Sequence, residues 1–288
     1  QVERQKAALE AERSANGGSG ESSEIKQQNS VADFFAVGQV LASDSVTASP
    51  DSLDVIQPTG EELVTLENEK LRVTLSTLGG RIHSVQLKGE KRYNGDSLIL
   101  FEGDEARFNL ELFNRNSVRL STEDQLFTPI VTADGKSVVM RLGSSPERHV
   151  DLVYTLPENE FMLDFDIRVV GMKASLHSES LTNLRINWEQ KIRQQENGRQ
   201  FENRFARLNY RYVGQDAQKM SDSKNDRKEL TEPIKWFAFK DQFFSTVIIA
   251  EKPFSNTILS SQPHVTGEYI KSYKAETWVP VTVDPQRD

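Results

Sequence analysis

The chain has 288 residues, with 43 acidic against 35 basic side chains, a net charge of -8 and no cysteine. An acidic balance without a basic face argues against a general nucleic-acid role and against anionic lipid headgroups, because phosphate binding needs clustered cations. The missing thiols exclude disulfides, thiolate metal sites and cysteine nucleophiles, but they do not fix the compartment.

Hydrophobic content is 36%, low for a compact domain, so part of the chain is expected outside the core. No run reaches the ~18 apolar residues of a membrane helix, and no charged-then-apolar leader opens the sequence. The first residue is Gln, which reads as a fragment of a longer protein. Residues 1–13, QVERQKAALEAER, favour helix by composition, yet Val2, Ala8 and Leu9 are too few for a core-facing stripe. SANGGSGESSEIKQQNS is linker-like. VADFFAVGQVLA, residues 31–42, is an apolar island. Packing of Val31, Phe34, Phe35 and Val37 on the main body as a short helix is favoured over contact with a partner or a membrane surface, because short helices are marginal alone. A second linker follows. Residues 1–60 are therefore expected as a stem and flexible linker, partly helical or disordered, and 61–288 as the folded body.

From Glu61 onward period-2 patterning repeats. LRVTLSTLGGRIHSVQL, residues 71–87, places Gly79 and Gly80 between two apolar runs. A phosphate loop would need a helix after the glycines, and strand residues follow instead, so the pair predicts a hairpin corner. The phase slips between Ile82 and Val85, which predicts a β-bulge near His83 and Ser84. RFNLELF aligns Phe108, Leu110 and Leu112. RHVDLVYTL aligns Val150, Leu152, Tyr154 and Leu156. FMLDFDIRV sets Phe161, Leu163, Phe165, Ile167 and Val169 against Asp164, Asp166 and Arg168. LRINWEQKI sets Leu184, Ile186, Trp188 and Ile192 against Arg185, Asn187, Glu189, Lys191 and Arg193. TADGKS and LPENE supply turns between such runs. One-sided alternation with short connections predicts antiparallel sheets with one wet face. GQDAQKMSDSKNDRKEL, residues 214–230, reads as a polar mobile loop. In TEPIKWFAFKDQFF, Trp236, Phe239, Lys240 and Phe243 fall three and four apart, which predicts a short helix after Pro233.

Chemistry is sparse. His83, His149, His177 and His264 are scattered, with no metal-ligand spacing. There is no G-x-S-x-G nucleophile elbow, and LGSSPER reads as turn chemistry. Trp188 beside Glu189 resembles an aromatic-carboxylate sugar holder, but strand neighbours point to opposite faces, so Trp188 is expected in the core. Arg185, Lys191 and Arg193 form a partly basic strand face suited to lining a cleft. Trp236, Phe239, Phe243 and Phe244 read as core packing, with an exposed partner patch as the alternative. No catalytic set, metal site or cofactor is expected.

ENEKLRVTLSTLGGRIHSVQLKG, then KWFAFKDQFFSTVIIAEKPFSN, then ETWVPVTVDP, resemble the large periplasmic domain of the YidC family of membrane-protein insertases and chaperones. The resemblance runs from about Glu61 to Val283. Its specific parts are the hairpin at Gly79-Gly80 and the segment from Trp236 to Ile249, where the family has a Trp, an aromatic pair and then a strand. The strands between match in pattern only.

The resemblance implies a mainly β antiparallel supersandwich, similar to galactose mutarotase, with a few short helices. It also implies a non-enzymatic domain at the periplasmic face of the bacterial inner membrane, with the parent protein membrane-anchored. Its expected partners are translocon components and nascent membrane proteins. The expected contact residues are Trp236, Phe239, Phe243, Phe244, Arg185, Lys191 and Arg193. The competing expectation is a carbohydrate-binding or aldose-epimerase-like protein, in which His83, His149 or His264 would work with Glu189 as general acid and base.

Overall fold

The computed structural model describes residues 60–221 and 223–281, which belong to one compact unit. The expectations for the stem, the linkers and the apolar island at 31–42 lie outside the described residues. The described chain is built almost wholly of antiparallel strands.

In chain order, β1 (Leu63–Glu67), β2 (Leu71–Ser76), β3 (Ile82–Lys91) and β4 (Ser97–Glu102) form a four-stranded meander. β5 (Ala106–Phe113) and β6 (Arg119–Ser121) enter a large sheet. β7 (Thr128–Val131), β8 (Ser137–Ser145), β9 (Arg148–Thr155) and β10 (Asp164–Val170) form a second four-stranded meander. The chain then returns to the large sheet with β11 (Asn183–Arg193), helix α1 (Arg199–Phe205), β12 (Arg207–Tyr212), β13 (Ala217–Lys219), β14 (Asp226–Leu230), β15 (Ile234–Lys240), β16 (Ser245–Pro263) and β17 (Tyr269–Pro280). That nine-stranded sheet runs β13-β12-β15-β16-β17-β11-β5-β6, with β14 paired to β16.

The glycine corner forms as its sequence predicts. β2 and β3 pair with Thr74 opposite Ser84 and Leu75 opposite Ile82, which leaves His83 as the extra residue of a bulge. Gly79 and Gly80 take φ of 77° and 59°, a region that other side chains enter only at a cost. A Cβ on Gly80 would also stand 3.0 Å from Leu152 Cδ1 and 3.1 Å from the Phe127 ring. Backbone freedom and close packing both require glycine there.

Both meanders rest on the same face of the large sheet. An aromatic chain shows it. Phe101 of β4 meets Trp188 of β11 edge-on at 6.4 Å between centroids. Trp188 meets Phe108 of β5 at 5.9 Å, and Phe108 meets Phe165 of β10 at 5.6 Å. Phe165 stacks on Tyr154 of β9 at 4.8 Å. Edge-on pairs suit the aromatic quadrupole and add about 0.5–1.5 kcal/mol each beyond area burial. The core positions at 108, 110, 112, 150, 152, 154, 156, 184, 186 and 192 are all buried as their alternation predicts. Trp188 lies on this inner side, and Glu189 on the opposite face pairs with Lys274 at 2.9 Å. The two do not form a sugar holder.

The sandwich is assembled from three hydrogen-bonded sheets. Three expectations are corrected. Residues 234–240 are strand, not helix: β15 pairs with β12 on one side and β16 on the other, and two ladders outweigh a coincidental aromatic spacing. Within the polar stretch 214–230, β13 and β14 are short strands that extend existing sheets. Phe161 precedes β10 and is exposed, Phe165 is still 36% exposed despite its ring contacts, and Ile167 and Val169 are only half-buried, so the expected apolar face of that strand is not a buried stripe.

Candidate functional site

Two surfaces carry the residues singled out from the sequence. The first is the outer, polar face of β5, β11 and β17. Arg185 lies opposite Glu111 of β5 in register and flanks Glu276 of β17. Its guanidinium reaches Glu276 Oε2 at 2.8 Å and Glu111 Oε2 at 3.5 Å. Asn187 Nδ2 donates to Glu111 Oε1 at 3.1 Å, and Arg119 adds a contact at 3.3 Å. Lys274 bridges Glu189 at 2.9 Å and Glu276 at 3.2 Å. Burial works to raise the Glu276 carboxyl, but hydrogen bonds from Arg185 and Lys274 outweigh it and hold it below its ordinary value. The hydrogen bond to Glu189 holds the Lys274 ammonium above its own.

The strand face predicted as partly basic is thus a lattice of alternating sign, because the neighbouring strands supply the acids. Lys191 is exposed and lies 5.3 Å from the centre of the Tyr269 ring. Arg193 turns away from the lattice: its Nε donates to both Glu105 oxygens, at 2.9 and 2.7 Å. The Tyr269 hydroxyl donates to the same carboxylate at 2.7 Å. Burial, then that bond, raises the Tyr269 phenol. This cluster ties the ends of β11 and β17 to the start of β5.

The second surface is the β15–β16 hairpin. Asp241 shapes its turn: Oδ1 accepts from the backbone N–H groups of Phe243 at 2.8 Å and Phe244 at 2.6 Å. That Asx-type turn leaves Phe243 66% exposed. Trp236 is half-buried and lies directly opposite Ile249, which is 48% exposed; Val247, two residues earlier, is 43% exposed. Phe239 is different. It is 1% exposed, packed on Tyr273 at 5.3 Å and on Phe237 at 5.6 Å, because strand alternation turns it inward. Phe244 is half-buried beside it. The four aromatics therefore do not share one face, and Phe239 is core. Val247 and Ile249 are contact candidates that the sequence reading missed; their period-2 spacing in STVIIA was the available signal. Among the described residues, Ser245 to Ile249 of β16 pair with β15, and β17 joins from Ser255.

The acid-base set required for sugar epimerisation is not assembled. Glu189 is engaged by Lys274, His264 Nε2 bonds Ser272 Oγ at 2.7 Å, and buried His149 lies 3.4 Å from Asp151. A cavity of about 310 Å³ opens between β14, β16 and β17, lined by Asp226, Arg227, Ser260, Gln262 and Ser272. Neither Glu189 nor His83 lines it. Among the described residues no three His, Cys, Asp or Glu side chains converge as a metal site, and no helix is long and apolar enough to cross a membrane.

A family model described as the YidC periplasmic domain matches residues 63–287, the whole of this β body. The chain belongs to the YidC periplasmic domain family. Relatives named membrane protein insertase YidC include one from Azobacteroides pseudotrichonymphae, 39% identical over 223 residues, covering 77% of this chain and 36% of the relative. A second, from Parabacteroides distasonis, is 38% identical over 76% of this chain and 35% of its own length. A third, from Porphyromonas gingivalis, is 34% identical over 91% of this chain and 43% of its own length. The chain thus spans about a third of the first relatives it matches, 36% and 35% of their lengths. The family places it on the periplasmic side of the inner membrane.

Among solved structures, a galactose mutarotase related enzyme from Lactobacillus acidophilus is similar at 11% identity and a TM-score of 0.41, covering 78% of this chain and 88% of that one. A putative aldose 1-epimerase from Escherichia coli K12 gives 9% identity and a TM-score of 0.39, covering 77% of this chain and 100% of that one. These likenesses concern general architecture and carry no argument about activity.

Proposed function

We propose that this YidC periplasmic domain is a non-catalytic docking body that assists membrane-protein insertion by contacting protein partners, either translocon components or nascent membrane proteins. The observation that carries the reading is the β15–β16 hairpin, where Phe243 in the turn and Val247 and Ile249 on β16 are exposed together. Exposed apolar side chains grouped on one hairpin suit hot-spot contact with a protein partner. Lys191 and Arg185 on the polar lattice offer a second, charge-complementary contact, which favours specificity and encounter rate over raw affinity. The insertase names of the relatives support this reading. So does the dispersal of Glu189, His149 and His264 into separate local pairings.

Photo-crosslinkers placed singly at Phe243, Val247, Ile249 and Lys191 of the full-length protein in working inner membranes test it. Adducts with translocon subunits or nascent chains at the hairpin positions are expected. A clean blank at all four would overturn the proposal. A mutarotation assay on free sugars, with a rate above buffer, would do so from the other direction.

A further inference from the structure

β10 leaves one edge of its meander open. It is an end strand of the sheet β10-β9-β8-β7, and among the described residues β9 is its only ladder partner. Its seven residues, Asp164–Val170, pair with β9 in unbroken register and include no proline. Strand edges are normally blunted by shortness, prolines, bulges or a covering segment, because their outward N–H and C=O groups accept another strand. Other sheet ends are blunted in this way. β6 and β13 have three residues each, and β7 has four with Pro129 among them. The edge of β4 is held by Gln195, whose Nε2 donates to Ile99 O at 2.8 Å.

The side chains of β10 are also self-complementary. Asp164, Asp166 and Arg168 share one face, and Phe165, Ile167 and Val169 share the other. Two identical strands that pair antiparallel along all seven residues have their two-fold axis at the middle one, Ile167. In that register Asp166 stands opposite Arg168 of the second copy, and Arg168 opposite Asp166, so two opposite-charge pairs form at once. Asp164 faces neutral Val170 and lies diagonal to the same Arg168. On the other face Phe165 meets Val169, and Ile167 meets its own copy. Moving the axis one residue, to Asp166 or Arg168, sets two equal charges face to face. The remaining edges lack this match: β1 has Glu67 as its one charge, and β14 centred on Lys228 opposes that lysine to itself.

We propose that β10 is a docking edge for a second copy of this chain, pairing antiparallel about a two-fold axis at Ile167 and joining two four-stranded meanders into one eight-stranded sheet. Within one copy the charges are poorly used: Arg168 reaches Asp166 of its own strand at 3.7 Å, and both stay exposed. Phe165, Ile167 and Val169, left exposed or half-buried, each gain a cross-strand neighbour. Seven paired residues make a small interface, so the association is weak and is favoured where copies are concentrated. It uses a different sheet from the β15–β16 hairpin and does not rest on the reading given for that surface.

The chain has no cysteine, so single-cysteine variants read the register cleanly. Ile167→Cys places two cysteines directly opposite, at a Cα separation of about 4.5–5.5 Å that a disulfide spans. Val169→Cys faces Phe165 instead and is offset from its own copy by roughly 13 Å along the strand. With the whole chain under mild oxidation, Ile167→Cys should give a disulfide dimer and Val169→Cys none. Sedimentation over a concentration series should show a reversible monomer–dimer equilibrium in the wild type. Arg168→Asp and Asp166→Arg should each weaken it at least ten-fold while circular dichroism shows the β fold intact. Mixing the two variants, or combining both changes in one chain, should restore it. A wild type that stays monomeric up to millimolar concentration would overturn the proposal. So would a dimer indifferent to both charge reversals, or equal cross-linking at positions 167 and 169. Cross-links from position 167 in working membranes that capture only other proteins assign the edge to a different partner and overturn it as well.

Discussion

The hydroxyl of Tyr154 donates to the carbonyl of Gly80 at 2.7 Å, joining two residues that are 74 positions apart. The bond links the second meander to the glycine corner of the first. Both groups are buried, and burial alone drives the phenol's ionisation well above its usual range, so the group stays a donor at any ordinary pH.

Tyr154→Phe should cost about 1–3 kcal/mol, because it strands a buried carbonyl oxygen while keeping the ring. Gly80→Ala should cost at least as much, since the new methyl meets Leu152 and Phe127 at a positive φ. Gly95→Ala is the control: φ is 89° there, but nothing stands within 4 Å. Urea unfolding should rank Gly80→Ala as clearly more damaging than Gly95→Ala.

The strand assignment of 234–240 separates two phenylalanines by consequence. Phe239→Ala should cost about 3–5 kcal/mol by emptying a core position. Phe243→Ala should stay within about 0.5 kcal/mol, as exposed substitutions do. Equal losses in thermal or urea unfolding would contradict the inward-outward division described for the hairpin.

Glu202 gives stability a pH slope. Burial, opposed by the backbone bonds from Gln195 and Glu196 and aided by repulsion from Asp241, raises its carboxyl from 4.5 to about 7. The folded state then holds a proton that the unfolded state has lost. Its contribution is full below about 4.5 and disappears as pH rises through 7. Asp241, raised from 3.8 to about 6, acts in the same sense over a lower window, its contribution full below about 3.8 and lost as pH rises through 6. The wild type minus Glu202→Gln difference in stability should be more positive at pH 5 than at pH 8. A difference that does not change with pH would refute the assignment.

Arg185 serves two acids, one of them buried. Arg185→Ala leaves Glu111 with Arg119 and Asn187 as its partners, and should cost about 1–2 kcal/mol. The Glu276→Gln background should soften that loss, because one of the two carboxylates no longer needs a cation. A double-mutant cycle in urea, repeated at high salt, measures the coupling.

Much of this fold was legible because strand parity is local. The slip between Ile82 and Val85 located the His83 bulge, and alternation at 108–112, 150–156 and 184–192 gave the inner face. Partners were not legible. The acids that neutralise Arg185 come from β5 and β17, far along the chain, so a strand read alone looked basic. Trp236, Phe239 and Phe243 matched a helical period by accident, since Trp236 and Phe239 project to opposite sides of one strand and Phe243 sits in the following turn. The polar composition of 226–230 hid β14, because an edge strand can be hydrophilic and still be paired.

The position of β17 has a consequence for biogenesis. It is the last strand of the described chain, yet it sits mid-sheet between β11 and β16. Its pairs with β11 join residues as far apart as Asn183 and Pro280. Until it emerges, two long edges stay open and the aromatic core has no lid on that flank. A polypeptide delivered end-first therefore completes this sheet only once β17 has emerged, and non-local closure of this kind is slow. For the time in between, the nascent domain is itself a client in need of shielding.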